Sequence, residues 1–278
     1  MTQQPIVSHP HTVIALLTDF GAGDSDVGVM KGVVATIAPD VQLIDITHDI
    51  GPQNVASGAW ILDSGYRYFP RNTVFVCVVD PGVGSARRAI ALHAGEWFFV
   101  GPDNGLFSYV LAAQPLHGAA LLSNPTYQLP QVSSTFHGRD IFAPAGAHLA
   151  NGVPLDQLGP LLDPASLQHL DAALPRQHGS SIDAVIIHAD HFGNLITSIP
   201  LSMIPGLLTD TGVQVTFPQH GITIEKRHRF FAEATDNEQP FIFPDSSGYV
   251  GIAVRNGSAA RTLGVHASAP ITLVTATK

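Results

Sequence analysis

In the first part of the chain, unbroken apolar runs alternate with apolar residues at helical spacing. VIALLT (13–18) is the first run and ends at Asp19, and the turn after it offers Asp24 or Ser25 as a helix cap. Val27, Met30, Val34 and Ile37 then share one helical face, and Pro39 stops the helix. A second strand is expected over 41–46 and a helix over 54–69, with Trp60, Ile61 and Tyr68 among its apolar positions. TVFVCVV (73–79) is the most strand-like run and breaks at Asp80-Pro81-Gly82. Residues 89–93 and 97–100 read as a further strand pair. Strand–helix–strand alternation predicts a mostly parallel sheet covered by helices.

Beyond Leu162 the pattern changes. Residues 163–181 are polar, with Pro, Gln and His, and read as a linker. From Asp183 the chain shows short strands without clear helices, at 184–187, 213–217, 222–225, 249–254 and 271–275. Their spacing is that of a small barrel or sandwich. The expected division is an α/β domain over 1–175 and an all-β domain over 182–278, with no internal repeat.

With 278 residues, 45% hydrophobic and 13% charged, the chain can bury one large core or two moderate ones. A formal charge of −9 and the lack of a basic stripe argue against nucleic acid as a partner. No window approaches a membrane span, and residues 1–12 lack a signal-peptide pattern. The single cysteine, Cys77, lies in an apolar run and reads as a buried core thiol. These features point to a reducing compartment, the cytoplasm.

Several residues are candidates for chemistry. Asp19 and Asp80 each end an apolar strand and precede a glycine-containing turn. Ligands of open parallel sheets bind beyond the carboxyl ends of strands, so both acids could face one ligand; Asp also caps such turns for purely structural reasons. Asp45, His48 and Asp49 (DITHDI) have the residue types of a metal site, but no nearby Cys or further His closes one. Arg87 and Arg88 follow the turn 81–85, and a hairpin there would return one of them towards Asp80. His137 stands before a helical stretch over 141–150, where a catalytic, ligating or capping role fits alike.

In the second part, Asp190, Phe192 and Asn194 occupy a turn between strands. An aromatic face beside an amide edge suits a purine, and a hairpin turn with a buried Phe reads the same way. Ser246 and Ser247 open the strand that ends at Val254. The chain has no G-x-S-x-G elbow, H-E-x-x-H, Walker A lysine or G-x-G-x-x-G after a strand. Serine hydrolases, zincins, P-loop NTPases and standard NAD enzymes are therefore disfavoured.

Taken in order, LLTDFG (16–21), DITHDI (45–50), VVDPGVGSARRAI (78–90), GPDNGLFS (101–108), TFHGRDIFAPAGAHLA (135–150), DHFGNLITSI (190–199) and DSSGYVGIAVRNGSAARTLG (245–264) resemble the SAM hydroxide adenosyltransferases. These hydrolases of S-adenosyl-L-methionine (SAM) are relatives of the fluorinase and chlorinase. The resemblance implies a Rossmann-like N-terminal α/β domain followed by a smaller C-terminal β-barrel. It also implies a homotrimer with the site at the subunit interface. The implied reaction converts SAM to adenosine and L-methionine, with SAM as substrate, no cofactor and no metal. By position, Asp80, Arg87 and His137 resemble the family's water-activating triad, and Asp19 the aspartate that holds the ribose hydroxyls. Asp190, Phe192 and Asn194 resemble the C-terminal ligands, Asn194 being the adenine contact. Ser246, Ser247 and the backbone at Val254 resemble the later contacts. Gly251 departs from the family, many members of which carry Glu there.

The halogenating relatives carry a Tyr/Thr-bearing turn where this chain has Asp80-Pro81-Gly82, and a long extra loop without counterpart here. A carboxylate facing the nucleophile repels a halide and accepts a proton from water, so water is the expected nucleophile. The rivals are a SAM- or adenosine-binding protein without turnover, opposed by retention of the whole triad, and a halide-using relative, opposed by Asp80. A metal phosphohydrolase built on Asp45 and His48 is a more distant third.

Overall fold

The computed structural model describes residues 13–170 and 174–275, so the stretch 1–12 read for a signal peptide lies outside the described residues. The chain divides into two compact units, Met1–His169 and Leu170–Lys278, a few residues before the boundary expected near 175. The whole is a mixed α/β protein with two sheets.

The first unit runs β1 (Val13–Thr18), α1 (Asp26–Ile37), β2 (Gln42–Thr47), α2 (Val55–Gly65), β3 (Val74–Val78), β4 (Ala89–Ala94), β5 (Trp97–Pro102), α3 (Ser108–Ala113), β6 (Leu116–Leu121) and α4 (Ala143–Ala150). Its six-stranded sheet has the order β2-β1-β3-β5-β4-β6. The first four of these strands are parallel, β4 returns antiparallel to β5, and β6 lies antiparallel to β4 at the edge. Side chains alternate between two buried faces. Ile14, Leu16, Val74 and Val76 pack with Met30 and Val34 of α1 and Leu149 of α4. Phe75 and Phe99 stack at 5.2 Å among the residues of alternate parity, with Tyr66 at the end of α2 edge-on to both. The chain passes from β1 to β2 on one side and then crosses to β3 on the other. Such a reversal opens a crevice at the carboxyl ends of the strands.

Helix starts follow local chemistry. Asn54 caps α2 by accepting from Ser57 N at 3.0 Å, whereas Ser25, at the start of α1, makes no side-chain cap bond. The helix expected over 54–69 is α2 followed by a single 3₁₀ turn, Tyr66–Tyr68.

The second unit contains β7 (Arg176–His178), β8 (Ser181–Ala189), β9 (Leu195–Pro200), β10 (Gln214–Phe217), β11 (Ile222–Ile224), β12 (Pro240–Pro244), β13 (Tyr249–Val254), α5 (Ala259–Leu263) and β14 (Pro270–Val274). The eight strands form one antiparallel sheet, β11-β10-β14-β8-β9-β13-β12, with β7 on β8. Just beyond β11, Lys226 O accepts from Ile242 N at 2.8 Å and His228 N donates to Ile242 O at 3.0 Å. These bonds bring the far edges of the sheet together, leaving it nearly closed and barrel-like. Ile186, Leu195, Val215, Phe217, Ile252 and Leu273 fill its interior. Two expectations are corrected here. The stretch 163–181 is not a uniform linker, because β7 lies within it, and α5 is a helix where none was expected. No helix among the described residues is long and apolar enough to cross a membrane.

Candidate active site

Thr18 of β1 pairs with Val78 of β3, so Asp19 and Asp80 leave one sheet edge on adjacent strands. After Asp80 the chain makes consecutive tight turns, with Val83 N donating to Asp80 O at 3.2 Å and Ser85 N to Gly82 O at 3.0 Å. This brings Arg87 back at the mouth of β4. Its Nε lies 2.9 Å from both Asp80 oxygens, and Nη2 closes on Oδ2. The Asp80 and Arg87 side chains are only 5% and 10% exposed, which makes this a buried, charge-assisted pair.

His137 reaches the pair from a distant segment. Arg87 Nη2 lies 2.7 Å from its Nδ1. The His137 loop is fixed by Asp140, a fully buried carboxylate that accepts from Ser133 N at 2.7 Å and Arg139 Nε at 2.6 Å. Burial alone would raise the Asp140 carboxyl, but Arg139 and the Ser133 bonds pull it below the usual carboxylate range. Behind it, residues Gly138–Phe142 form a π-helical turn, and the Arg87 guanidinium stands 5.3 Å over the Phe142 ring. Gly84 makes the approach of the two loops possible. It has φ +75°, and a Cβ there would lie 2.3 Å from Ser134 O, so only glycine fits. Burial, and then the Arg87 charge, hold the His137 imidazole below its ordinary value, against the opposing pull of Asp80 and Asp140.

Of the other first-unit candidates, Asp19 accepts from Gln53 N at 2.7 Å through Oδ2. Asp45 forms a closed network instead of an open ligand set. Its oxygens meet Lys31 Nζ at 2.6 Å and His48 Nε2 at 3.0 Å, and His48 Nδ1 lies 2.9 Å from buried Thr18 Oγ1. Cys77 is buried, and burial pushes its thiol up.

In the second unit, Asp190 ties its turn together by accepting from Asn194 N at 2.8 Å and Asn194 Nδ2 at 2.7 Å. Asn194 is 6% exposed, whereas Phe192 beside it is 73% exposed. Both line a cavity of about 550 Å³, together with Phe231, Val254, Asn256 and Arg261. Phe231, Asn256 and Arg261 were not singled out from sequence. Phe231 sits in a 3₁₀ turn that carries no motif, and its only signal is a pair of adjacent large aromatics, Phe230 and Phe231, in a polar stretch.

Ser246 and Ser247 are not brought to this cavity. They lie before β13 while Val254 ends it, and at about 3.3 Å per residue the strand alone spans roughly 17 Å. Ser247 instead bonds Asp245, from backbone N at 2.8 Å and from the hydroxyl. Gly251, midway along β13, lies under the Phe243 ring, and a Cβ there would approach Cε1 at 2.5 Å. Phe243 in turn packs 5.2 Å from Phe231, so this glycine supports a wall of the cavity.

Residues 14–159 match the N-terminal domain of the SAM hydroxide adenosyltransferases and residues 184–272 match the C-terminal domain. The chain belongs to that family. A Salinispora arenicola protein named (R)-S-adenosyl-L-methionine hydrolase is 39% identical to this adenosyltransferase-family chain over 258 residues, covering 91% of it and 94% of its own length. A fluorinase from Actinoplanes sp. is 28% identical over 268 residues, covering 87% and 90%. A crystal structure of an uncharacterized conserved protein from Thermotoga maritima superposes with a TM-score of 0.84 at 34% identity, covering 94% of this chain and 99% of that one.

Proposed function

We propose that the chain hydrolyses SAM to adenosine and L-methionine by attack of water at C5′, with no metal or cofactor. The observation that carries this reading is the hydrogen-bonded chain Asp80–Arg87–His137 in a family whose Salinispora member is named a SAM hydrolase. The SAM sulfonium is already cationic, so the C5′–S bond breaks with its electron pair passing to sulfur. Methionine then leaves as a neutral thioether that needs no acid. The demanding task is to orient a water and remove its proton as the oxygen attacks.

The geometry divides that task. A guanidinium only donates, so Arg87 fixes His137 Nδ1 as an acceptor, and the neutral ring carries its proton on Nε2. In this reading Nε2–H orients the water and the Asp80 carboxylate takes the proton. Asp19 holds the ribose hydroxyls, its Oδ1 being the oxygen not bonded to Gln53. Phe192 and Phe231 offer faces to adenine. Asn194, whose Nδ2 is given to Asp190, presents Oδ1 to the exocyclic amine. Ser246 and Ser247 remain contacts for the methionine end, removed from the adenine cavity.

We read the first unit as Rossmann-like and the second as a β-barrel, in a cytoplasmic protein. The assembly in this reading is a homotrimer, with SAM bound where the first unit of one subunit meets the second unit of a neighbour. What supports it is the division of binding residues, Asp19 on one unit and Asn194 on the other. Mixing Asp19→Ala and Asn194→Ala chains should restore part of the activity; no recovery after proven subunit exchange counts against a shared site.

The direct test is incubation with SAM in ¹⁸O-enriched water. Adenosine and methionine should appear in equal amounts, with the label in the 5′ hydroxyl. Because the Salinispora relative is named for the (R) form, both forms of SAM are assayed. Intact SAM after prolonged incubation, or a 5′-halo nucleoside, overturns the proposal.

A further inference from the structure

Asp80 and Arg87, though buried themselves, flank a turn whose Pro81 and residues 84–86 are exposed, and a neighbouring dipeptide grips the chain on both sides of them. Asn104 Nδ2 donates to Val79 O at 2.8 Å, on the residue before Asp80. Its Oδ1 accepts from Leu106 N at 3.2 Å, so both ends of the amide are engaged and its orientation is set. Asp103 holds the residue after Arg87. Its backbone N donates to Arg88 O at 3.0 Å, and its Oδ2 accepts from Arg88 Nε at 2.8 Å and from Nη2. Asp103 is 5% exposed, and its other oxygen accepts from Gln168 N at 2.9 Å. Arg88 is also held by Ser166, through Nη1 to the hydroxyl at 2.9 Å, so its guanidinium does not compete with Arg87 for Asp80.

The topology explains why one dipeptide reaches both places. β3 and β5 are parallel with Val76 opposite Val100, so their carboxyl ends leave the same edge. β4 is antiparallel to β5 with Ala89 opposite Pro102, which sets Arg88 against Asp103. A cavity of about 370 Å³ lies against Arg87, Arg88, Asp103 and Asn104.

We infer that Asp103 and Asn104 are positioning residues for the Asp80–Arg87 pair, fixing the chain one residue before the acid and one residue after the guanidinium. The inference rests on the hydrolase reading for its catalytic consequence but not for its geometry. A displacement of the reacting groups by about 1 Å can lower turnover by about a hundredfold, which sets the scale for loosened turns.

The test compares Asn104→Ala and Asp103→Asn with Asn124→Ala. Asn124 makes the same kind of amide bridge, Nδ2 to Gln157 O at 2.7 Å and Oδ1 from Thr126 N at 3.1 Å, away from the triad. Two readouts are taken on folded protein: kcat for SAM beside adenosine affinity, and the NMR titration of the His137 ring. His137 is faced by Arg87, Asp80 and Asp140 and is bonded at Ser133. Burial and Arg87 lower its titration, so release of Arg87 should move it upward. The expected result is that kcat falls about 10- to 100-fold in both site variants, adenosine affinity stays within about threefold, and the His137 titration rises. Asn124→Ala should show neither change, even where its melting temperature drops. Unaltered titration and kcat in both folded site variants overturn the inference. Should Asn104→Ala fail to fold, the shape-keeping Asp103→Asn decides alone. If the parent makes no adenosine, the hydrolase reading fails, and the titration still decides whether the dipeptide positions the triad.

Discussion

Asp80→Asn keeps the shape of the side chain and removes its charge and its capacity to take a proton. In the structure both oxygens face Arg87 N–H groups, so an amide nitrogen on either side would set donor against donor. Two free energies follow, and they act on different observables. Breaking a pair this buried costs about 3–5 kcal/mol of stability. A domain starting from about 5 kcal/mol and losing 3 retains about 2, which leaves only a few per cent of molecules unfolded. At this end of the range, unfolding alone changes the measured rate very little. Loss of general-base assistance lowers turnover by about 10²–10⁴, a barrier increase of about 2.7–5.5 kcal/mol. Chemistry therefore dominates the measured rate wherever thermal melting shows the variant folded. Single-turnover quench experiments with SAM, scored by adenosine formed per folded site, give the rate, and calorimetry with adenosine gives the affinity. Turnover should collapse while adenosine affinity stays within about threefold, since the nucleoside contacts assigned to Asp19 and Asn194 are untouched. Parent-rate turnover by a folded Asp80→Asn protein would show the triad to be scaffold only.

The pH response follows from His137, whose Nδ1 must be unprotonated to accept from Arg87. Its titration lies below the ordinary 6.5, so kcat should be flat above that value and fall as pH drops through the lowered one. Stability should decline earlier, as pH falls from 6.5 to that lowered value, because the unfolded imidazole binds its proton first. A pH–kcat profile beside pH-dependent melting checks both, and an acid limb above 6.5 refutes the assignment. Gly251→Ala should overpack Phe243, costing about 1–3 kcal/mol and weakening adenosine binding through Phe231. Trimming Phe243 to Leu in the same chain should recover much of that loss, and additive effects in a double-mutant cycle would show that the two positions do not communicate. Activity should survive EDTA, and added fluoride or chloride should yield no 5′-halo-adenosine by mass spectrometry.

Much of the first unit is legible because β1 and β3 are buried on both faces and read as unbroken apolar runs, as in TVFVCVV (73–79). β6 escaped because LHGAAL mixes His and Gly into a strand at the sheet edge. β12 escaped because proline stands at each end of PFIFP, which demotes a strand on sequence grounds. β9 carries Thr197 and Ser198, both buried, so no clear alternation marks it. Five residues of α5 are too few for helical periodicity to register. In the site, hairpin logic returns either Arg87 or Arg88 to Asp80 without choosing between them, and the structure has Arg87 there; no spacing rule could bring His137 across 50 positions. That contact was expected only from the family resemblance. Asp103 and Asn104 lie inside GPDNGLFS (101–108), yet their bonds go to Val79 O and Arg88, and side-chain-to-backbone grips leave no periodic trace.

The 50-residue span between Arg87 and His137, joined where Gly84 meets Ser134, also has a meaning in time. A contact this far apart in sequence must close a long loop, here spanning β4, β5, α3 and β6, and such non-local contacts form slowly. A nascent or partly folded chain can hold individual strands and turns without a working triad. Onset of SAM cleavage during refolding should therefore never precede the last cooperative phase seen by fluorescence. On the hydrolase reading, a growing polypeptide gains its activity only once Arg87 and His137 have met.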